Sequence, residues 1–374
     1  MTFYAAPPSV DTPRPPLSLR DISPALRGRH RNENLIKSRP PPLKGEGDRG
    51  RGSYYAGEKG KHMENFALCL RAVLPAFLII MAGYFSKRAG FVREADIPRM
   101  NAMAYRAFMP VMCFYNVYRS DISSAIRPGL LAFSGAGVAC VYAASWLYAA
   151  AFVRQRNRRG VVIQGLYRSN FLIIGLSFAE GLMKDADLGC ISVCGALIVP
   201  MFNILAVVTL EAYNGETPDK KRLLLNIAKN PLLLGSVVGA VFLFAGWSLP
   251  EPVALAVGQM GQAASPLLLF LLGAFFRVGN VRNHVPELLA ACVGRLIVVP
   301  GVMLAIAAAF GFRGLEFVTL TALFASSTAG NSFVMAQQMG GDADLAGDIV
   351  VMTSLFCSLT MFVWSFLYLR LGVI

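Results

Sequence analysis

Charge is what this sequence has least of. Only 15% of its 374 residues are Asp, Glu, Lys or Arg, against roughly 25% in a soluble domain, and the mean hydropathy is +0.52. Water is therefore excluded as the solvent for most of the surface. Histidine is scarce too: His30, His62 and His284 all lie outside the apolar runs. The seven cysteines (Cys69, Cys113, Cys140, Cys190, Cys194, Cys292, Cys357) fall inside or beside those runs, and none has zinc-ligand spacing. Cys190 and Cys194, four apart on one helix face, read as small apolar residues rather than a redox or metal pair. No metal or organic cofactor is expected. A G-x-x-x-x-G-K-[ST] loop is missing, which counts against ATP-driven pumping by this chain. Neither H-E-x-x-H nor G-x-S-x-G falls in an apolar run, so the chain does not read as an intramembrane hydrolase or any other enzyme.

The basic charge that is present sits in two kinds of place. Residues 1–62 hold 12 of the 35 Lys and Arg but 6 of the 22 Asp and Glu, giving this short stretch +6 of the net +13. The rest lies between apolar runs, where such charge sets orientation and does not imply nucleic acid. Met1–His62 is rich in Pro, Arg, Gly and Ser and lacks apolar periodicity, so it is expected to be a disordered basic tail. It also lacks the apolar core of a secretory signal. Met63 opens Met-Glu-Asn-Phe just before the first apolar run and is expected to be the physiological start.

With about 20 apolar residues per crossing, spans fall near 66–86, 100–118, 128–152, 161–183, 187–212, 231–247, 252–276, 286–310, 314–339 and 345–370. Loops after odd-numbered spans are basic: Lys87, Arg88 and Arg93; Arg154, Arg156, Arg158 and Arg159; Lys220, Lys221, Arg222 and Lys229; Arg277 and Arg282. The even-numbered loops are sparse in Lys and Arg. The odd loops are therefore expected in the cytoplasm of a cell (inner or plasma) membrane, and both termini outside it.

Spacing carries a second message. Pro75 and Gly83 match Pro231 and Gly239, and Pro110 and Phe114 match Pro266 and Phe270, all at an offset of 156 residues. Asp185-Ala186-Asp187-Leu188 recurs as Asp342-Ala343-Asp344-Leu345 at an offset of 157, and Asn170 pairs with Asn331 at 161. Five spans per half is odd, so the second half must run inverted. The expected fold is an all-α polytopic membrane protein with about ten transmembrane helices. They form two inverted five-helix repeats, 63–212 and 231–374, joined by a cytoplasmic linker, 213–230. Inverted repeats are a recurring design of secondary transporters.

Two spans are interrupted by polar residues at mid-depth: span 4 at Leu166-Tyr167-Arg168-Ser169-Asn170-Phe171 and span 9 at Ser326-Ser327-Thr328-Ala329-Gly330-Asn331-Ser332. Such residues suit broken helices whose free backbone groups face the protein interior. The resumed half-helix offers unpaired N–H groups and a positive dipole end to an anion. Asn170 and Asn331 lead the expected substrate contacts, with Ser169, Ser327, Thr328 and Ser332; they could equally satisfy the broken backbone. Arg295, inside span 8, could balance an anionic substrate or pair with an acid such as Asp348. Asp348 and Glu180 are candidates for proton or sodium coupling, and Arg168 falls within snorkelling reach of a cytoplasmic end. Gly330 is expected to permit the break, and Pro75, Pro110, Pro231 and Pro266 to kink or shape helices. The expected partners are a small organic anion and the lipid bilayer, with a homodimer compatible and nucleic acid not.

Several short motifs, in order, carry a family resemblance over roughly 66–372: Leu74-Pro75-Ala76-Phe77 with Gly83-Tyr84, Phe108-Met109-Pro110, Ser169-Asn170-Phe171, Lys229-Asn230-Pro231-Leu232, Ser265-Pro266-Leu267 with Leu272-Gly273-Ala274, and Asn331-Ser332-Phe333-Val334-Met335-Ala336. In these the chain resembles the auxin efflux carrier family. The resemblance implies a scaffold of spans 1, 2, 6 and 7 and a transport domain holding the crossing spans 4 and 9. It further implies movement of small organic anions, auxin in plants and dicarboxylates such as malonate or malate in some bacterial relatives. Family members often carry a proline at the crossing; here 165–180 and 326–340 have none. Other expectations from the residues are a sodium-coupled symporter of the bile-acid or arsenite type, and a membrane sensor that moves nothing.

Overall fold

The computed structural model describes residues 70–71, 73–120, 127–183, 189–214, 220–277 and 280–374. The basic segment 1–62, the start at Met63 and the first Asp-Ala-Asp-Leu turn lie outside them. The described residues form thirteen helices, two short 3-10 turns (Glu94–Asp96 and Asn280–Asn283) and no strand. In chain order these are α1 (73–88), α2 (97–118), α3 (Pro128–Phe152), α4 (Arg156–Tyr167), α5 (171–182), α6 (Gly189–Tyr213), α7 (Lys220–Ala228) and α8 (Pro231–Ala245), followed by α9 (Glu251–Phe275), α10 (Val285–Ala309), α11 (Gly314–Ala325), α12 (Asn331–Gln338) and α13 (Ala343–Arg370).

Five of them, α3, α6, α9, α10 and α13, run 25 or 28 residues and are apolar enough to cross a membrane. At 1.5 Å per residue such a helix exceeds the ~30 Å hydrocarbon core. Shorter apolar helices include α8 and α11. Large apolar side chains face outward along them, among them Leu147, Phe152, Phe244, Leu255, Val298 and Leu359. A surface of that kind is stable in lipid and not in water, so the chain is a multi-pass membrane protein.

Prolines fall where the backbone accommodates them. A proline inside a helix cannot donate to the carbonyl four residues back, and its ring crowds that carbonyl. In α2 and α10 a wider π turn, Ala104–Phe108 and Gly294–Val298, ends just before Pro110 and Pro300. The carbonyl that Pro300 frees belongs to Leu296, and Trp364 Nε1 of α13 donates to it at 3.0 Å. Pro231 starts a helix instead of kinking one. Asn230 caps α8 by accepting from the Leu232 N–H at 3.0 Å, and a proline at the first helical position forfeits no bond. Pro266 lies within α9, and Pro75 lies within α1.

Glycine sets how close two helix pairs come. A Cβ at Gly83 of α1 would collide with the Phe270 carbonyl of α9, and one at Gly273 with the Ile80 carbonyl of α1. Likewise, Gly239 and Gly235 of α8 press on the carbonyls of Phe114 and Pro110 in α2. Only small residues let backbones touch this way in a membrane. One apolar core lies mainly among α3, α4, α5, α6, α10, α11 and α13, around Ile163, Phe171, Phe178 and Phe324. A second gathers α1, α2, α8, α9 and α12 around Met109, Leu268, Leu272 and Phe333. At one end Asp342 caps α13 through the Leu345 N–H at 3.0 Å and takes Arg158 Nε of α4 at 2.9 Å. Arg158 also reaches Glu287 of α10 at 3.2 Å.

Candidate functional site

The interruptions read from the sequence are where helices stop. α4 ends at Tyr167 and α5 starts at Phe171, while α11 ends at Ala325 and α12 starts at Asn331. The two linking segments cross antiparallel, bridged at Ser169 and Thr328. The Asn170 N–H donates to the Ser327 carbonyl at 2.8 Å, and the Ala329 N–H to the Arg168 carbonyl at 3.3 Å. The Ser169 and Ser326 hydroxyls meet at 2.5 Å. Each break thus satisfies backbone groups of the other, as buried N–H and C=O groups require. Gly330 has an ordinary helical φ of −59°, so the turn does not need its conformational freedom. It needs the space, because a Cβ there would come within 2.7 Å of Leu269 Cδ2.

Opposite ends of the broken helices are treated differently. The α4 and α11 C-termini converge on Arg295, which is 1% exposed. Its Nε donates to the Ser326 carbonyl at 2.9 Å and its Nη2 to that of Leu323 at 3.0 Å, while Nη1 reaches those of Leu166 and Tyr167 at 3.4 Å. A cation there offsets two negative dipole ends. The N-terminal ends, at 169–173 and 329–331, instead line a cavity of about 80 Å³. Since about 10–15 Å³ holds one water, this space takes a ligand of roughly five to eight heavy atoms. Met112 and Asn116 of α2, Phe202 and Asn203 of α6, and Ser265 and Leu268 of α9 complete the wall.

Arg168 is the one charged residue lining this cavity among the described residues. It is 1% exposed and has no carboxylate within salt-bridge distance among them. Its guanidinium is held from neutral groups: Nη2 donates to Asn203 Oδ1 at 2.7 Å, and Nη1 to Gln164 Oε1 at 3.2 Å and to Met335 Sδ. A guanidinium has five N–H donors; the Nε–H and one Nη2–H remain for a ligand. Its place near a loop in the linear sequence suggested snorkelling, and the structure corrects that: the helix breaks at this residue and carries it inward. The sequence signal that could have identified it is an arginine two residues before the break asparagine.

Asn170, Asn331, Ser169 and Gly330 come together on the cavity wall. Neither asparagine side chain has a hydrogen-bond partner among the described residues, and Asn331 Oδ1 is fully covered. The remaining candidates lie elsewhere. Ser327 takes a bond from Ser354 of α13 at 3.3 Å, and Thr328 Oγ1 donates to the Gly165 carbonyl at 2.9 Å. Ser332 lines a separate space of about 10 Å³ with Gln164 and Thr328, and its Oγ and Gln164 Nε2 lack partners among the described residues. Arg295 is not on the cavity wall and does not meet Asp348. Asp348 Oδ2 instead lies 2.6 Å from Nε2 of His284, both buried, and Glu180 is exposed. A larger cleft of about 420 Å³ between α3 and α10 is lined by apolar residues with Ser145 and Tyr148 and holds no charged group.

The site is a charged, polar crossing enclosed by apolar-surfaced helices, the kind of interior that a polytopic membrane protein alone has reason to build. The family model described as membrane transport protein matches residues 68–222 and 219–365, and the chain belongs to that family, the auxin efflux carriers. It is 25% identical over 310 residues to an uncharacterized transporter of Methanothermobacter thermautotrophicus, covering 78% of this chain and 96% of the relative. An uncharacterized transporter of Methanocaldococcus jannaschii is 22% identical, covering 80% and 98%. A Rhizobium meliloti protein named "Putative malonate transporter" is 24% identical, covering 77% and 92%.

Proposed function

We propose that this protein is a secondary transporter of a small organic anion, working by alternating access about the crossing of α4/α5 with α11/α12. The observation that carries the reading is Arg168, a buried cation without a carboxylate partner among the described residues, sharing a wall with two unpartnered amides. Buried charge is costly and is kept where something offsets it; here the offsetting charge is the cargo. A carboxylate or dicarboxylate fits, and the name of the Rhizobium meliloti relative supports that class.

The same proposal takes the ten crossings as two inverted repeats in a cell membrane, with both ends of the chain outside. Exchange of contacts between the halves supports it. Gly83 meets Phe270 while Gly239 meets Phe114, and each of these pairs differs from its counterpart by the 156-residue offset. Coupling is assigned to Asp348 with His284, because this buried acid–base pair joins the start of α10 to α13 and can carry a proton.

The test is flux of labelled small carboxylates into liposomes holding the purified protein, under imposed proton or sodium gradients. Asn170→Ala and Asn331→Ala are expected to cut flux at least tenfold, and Asp348→Asn to abolish proton-driven accumulation while sparing exchange. Normal flux in both asparagine variants defeats the site. Sodium-driven uptake indifferent to the proton gradient favours the bile-acid or arsenite type of symport. Ligand binding without flux at any gradient favours a sensor.

A further inference from the structure

We infer that the cavity selects its substrate by charge state: it takes a monoanion that also carries a hydrogen-bond donor, so a dicarboxylic acid enters with one carboxyl still protonated. The inference rests on the organic-anion reading and names the species within it.

The argument is one of matching groups. Among the described residues of the wall, the only formal charge is the single positive one on Arg168. Nε and Nη2 lie on one edge of the planar guanidinium fork, which suits the two oxygens of one carboxylate. A second carboxylate in the same small space would meet no cation. The titratable side chains that interact electrostatically with Arg168 are Tyr167, Cys113 and Tyr105, ordinarily uncharged at neutral pH. Arg295 cannot serve, because four backbone carbonyls occupy it.

The rest of the wall asks for a donor. Asn170, Asn331 and Ser265 are neutral, and each amide presents an acceptor as well as donors. Asn331 Oδ1 has no donor within reach among the described residues, a state that costs free energy until one arrives, and turning the amide over brings this covered oxygen to the cavity wall that Asn331 lines. A carboxylic O–H or an amide N–H supplies it, whereas an ionised carboxylate only accepts. The dianion would therefore leave Oδ1 unpaired and add a like-charged neighbour to it. The monoanion pairs both ends.

The experiment measures equilibrium binding of malonate and of its half-amide to the purified full-length protein, at neutral and at mildly acid pH. The half-amide carries one carboxylate and one N–H donor at both. Its Kd is expected to be the same at the two pH values. The apparent Kd of malonate is expected to tighten tenfold per unit fall in pH until the monoanion predominates. Malonate that binds equally well at both pH values, or tighter than the half-amide at neutral pH, overturns the inference while leaving the organic-anion reading intact. Binding of neither compound at either pH overturns both. Asn116→Lys places a second cation on the wall, at a partly exposed position of α2. That variant is expected to reverse the order, with malonate at least tenfold tighter than the half-amide at neutral pH. An unchanged order in a variant with an unchanged melting temperature counts against charge matching.

Discussion

Two arginines are buried within the same crossing and do opposite things. Arg295 is saturated by carbonyls, whereas Arg168 keeps donors free beside a cavity. Replacing each should separate stability from function. Arg295→Gln strands backbone acceptors that each cost about 1–3 kcal/mol when buried unpaired, so a loss of several kcal/mol is expected. It would appear as a large fall in Tm in detergent. Arg168→Met strands the Asn203 Oδ1 and Gln164 Oε1 acceptors, at about 1–3 kcal/mol each. It also removes a buried charge without an ionic partner, whose desolvation costs as much or more. Its Tm is expected to hold or rise while anion binding is lost. A matching loss of Tm in both variants would make Arg168 structural. The sequence shows why the two are hard to tell apart by eye. Counting residues from a loop measures depth only along an unbroken helix. The break at 168–170 voids that count for Arg168, while Arg295, on a continuous helix, sits as deep as its position implies.

Elements here are shaped by what each proline releases. The Leu296 carbonyl freed by Pro300 is taken up by Trp364, 68 residues away in sequence. Trp364→Phe is expected to cost about 1–3 kcal/mol by leaving that carbonyl unpaired. In a Pro300→Ala background the helix regains its own donor, so the same change should cost less. A double-mutant cycle by thermal unfolding reads the difference, and strict additivity would refute the link. The apolar helices and the positions of both interruptions were legible from hydropathy and polar residues alone. The donor for Leu296 was not, because nothing local to Pro300 names a partner on α13. Nor was the role of Gly330, whose backbone is ordinary and whose missing side chain makes room for Leu269. His284 lies outside every apolar run, yet folding buries it against Asp348.

At the scale of the whole molecule, the proposed orientation rests on loop charge. In a cysteine-free background, Ser248→Cys is expected to react with a membrane-impermeant maleimide in intact cells, and Arg154→Cys only after permeabilisation. Both positions are exposed. The reversed pattern would invert the topology and with it the extracytoplasmic placement of the termini. Charge alternation and the repeated spacing are the grounds for proposing this arrangement, and the labelling pattern tests it. The cavity's charge was not legible, since the break that carries Arg168 inward is invisible to a count of residues from the loop.

The four carbonyls on Arg295 have a mechanical consequence. They come from the tails of both broken spans, so neither tail can shift without tearing the other from the same guanidinium. The crossing then behaves as a single machined part with no joint inside it. In the alternating access proposed above, the slip would run along its outer faces, where α2 and α9 meet the cavity, and not through its centre.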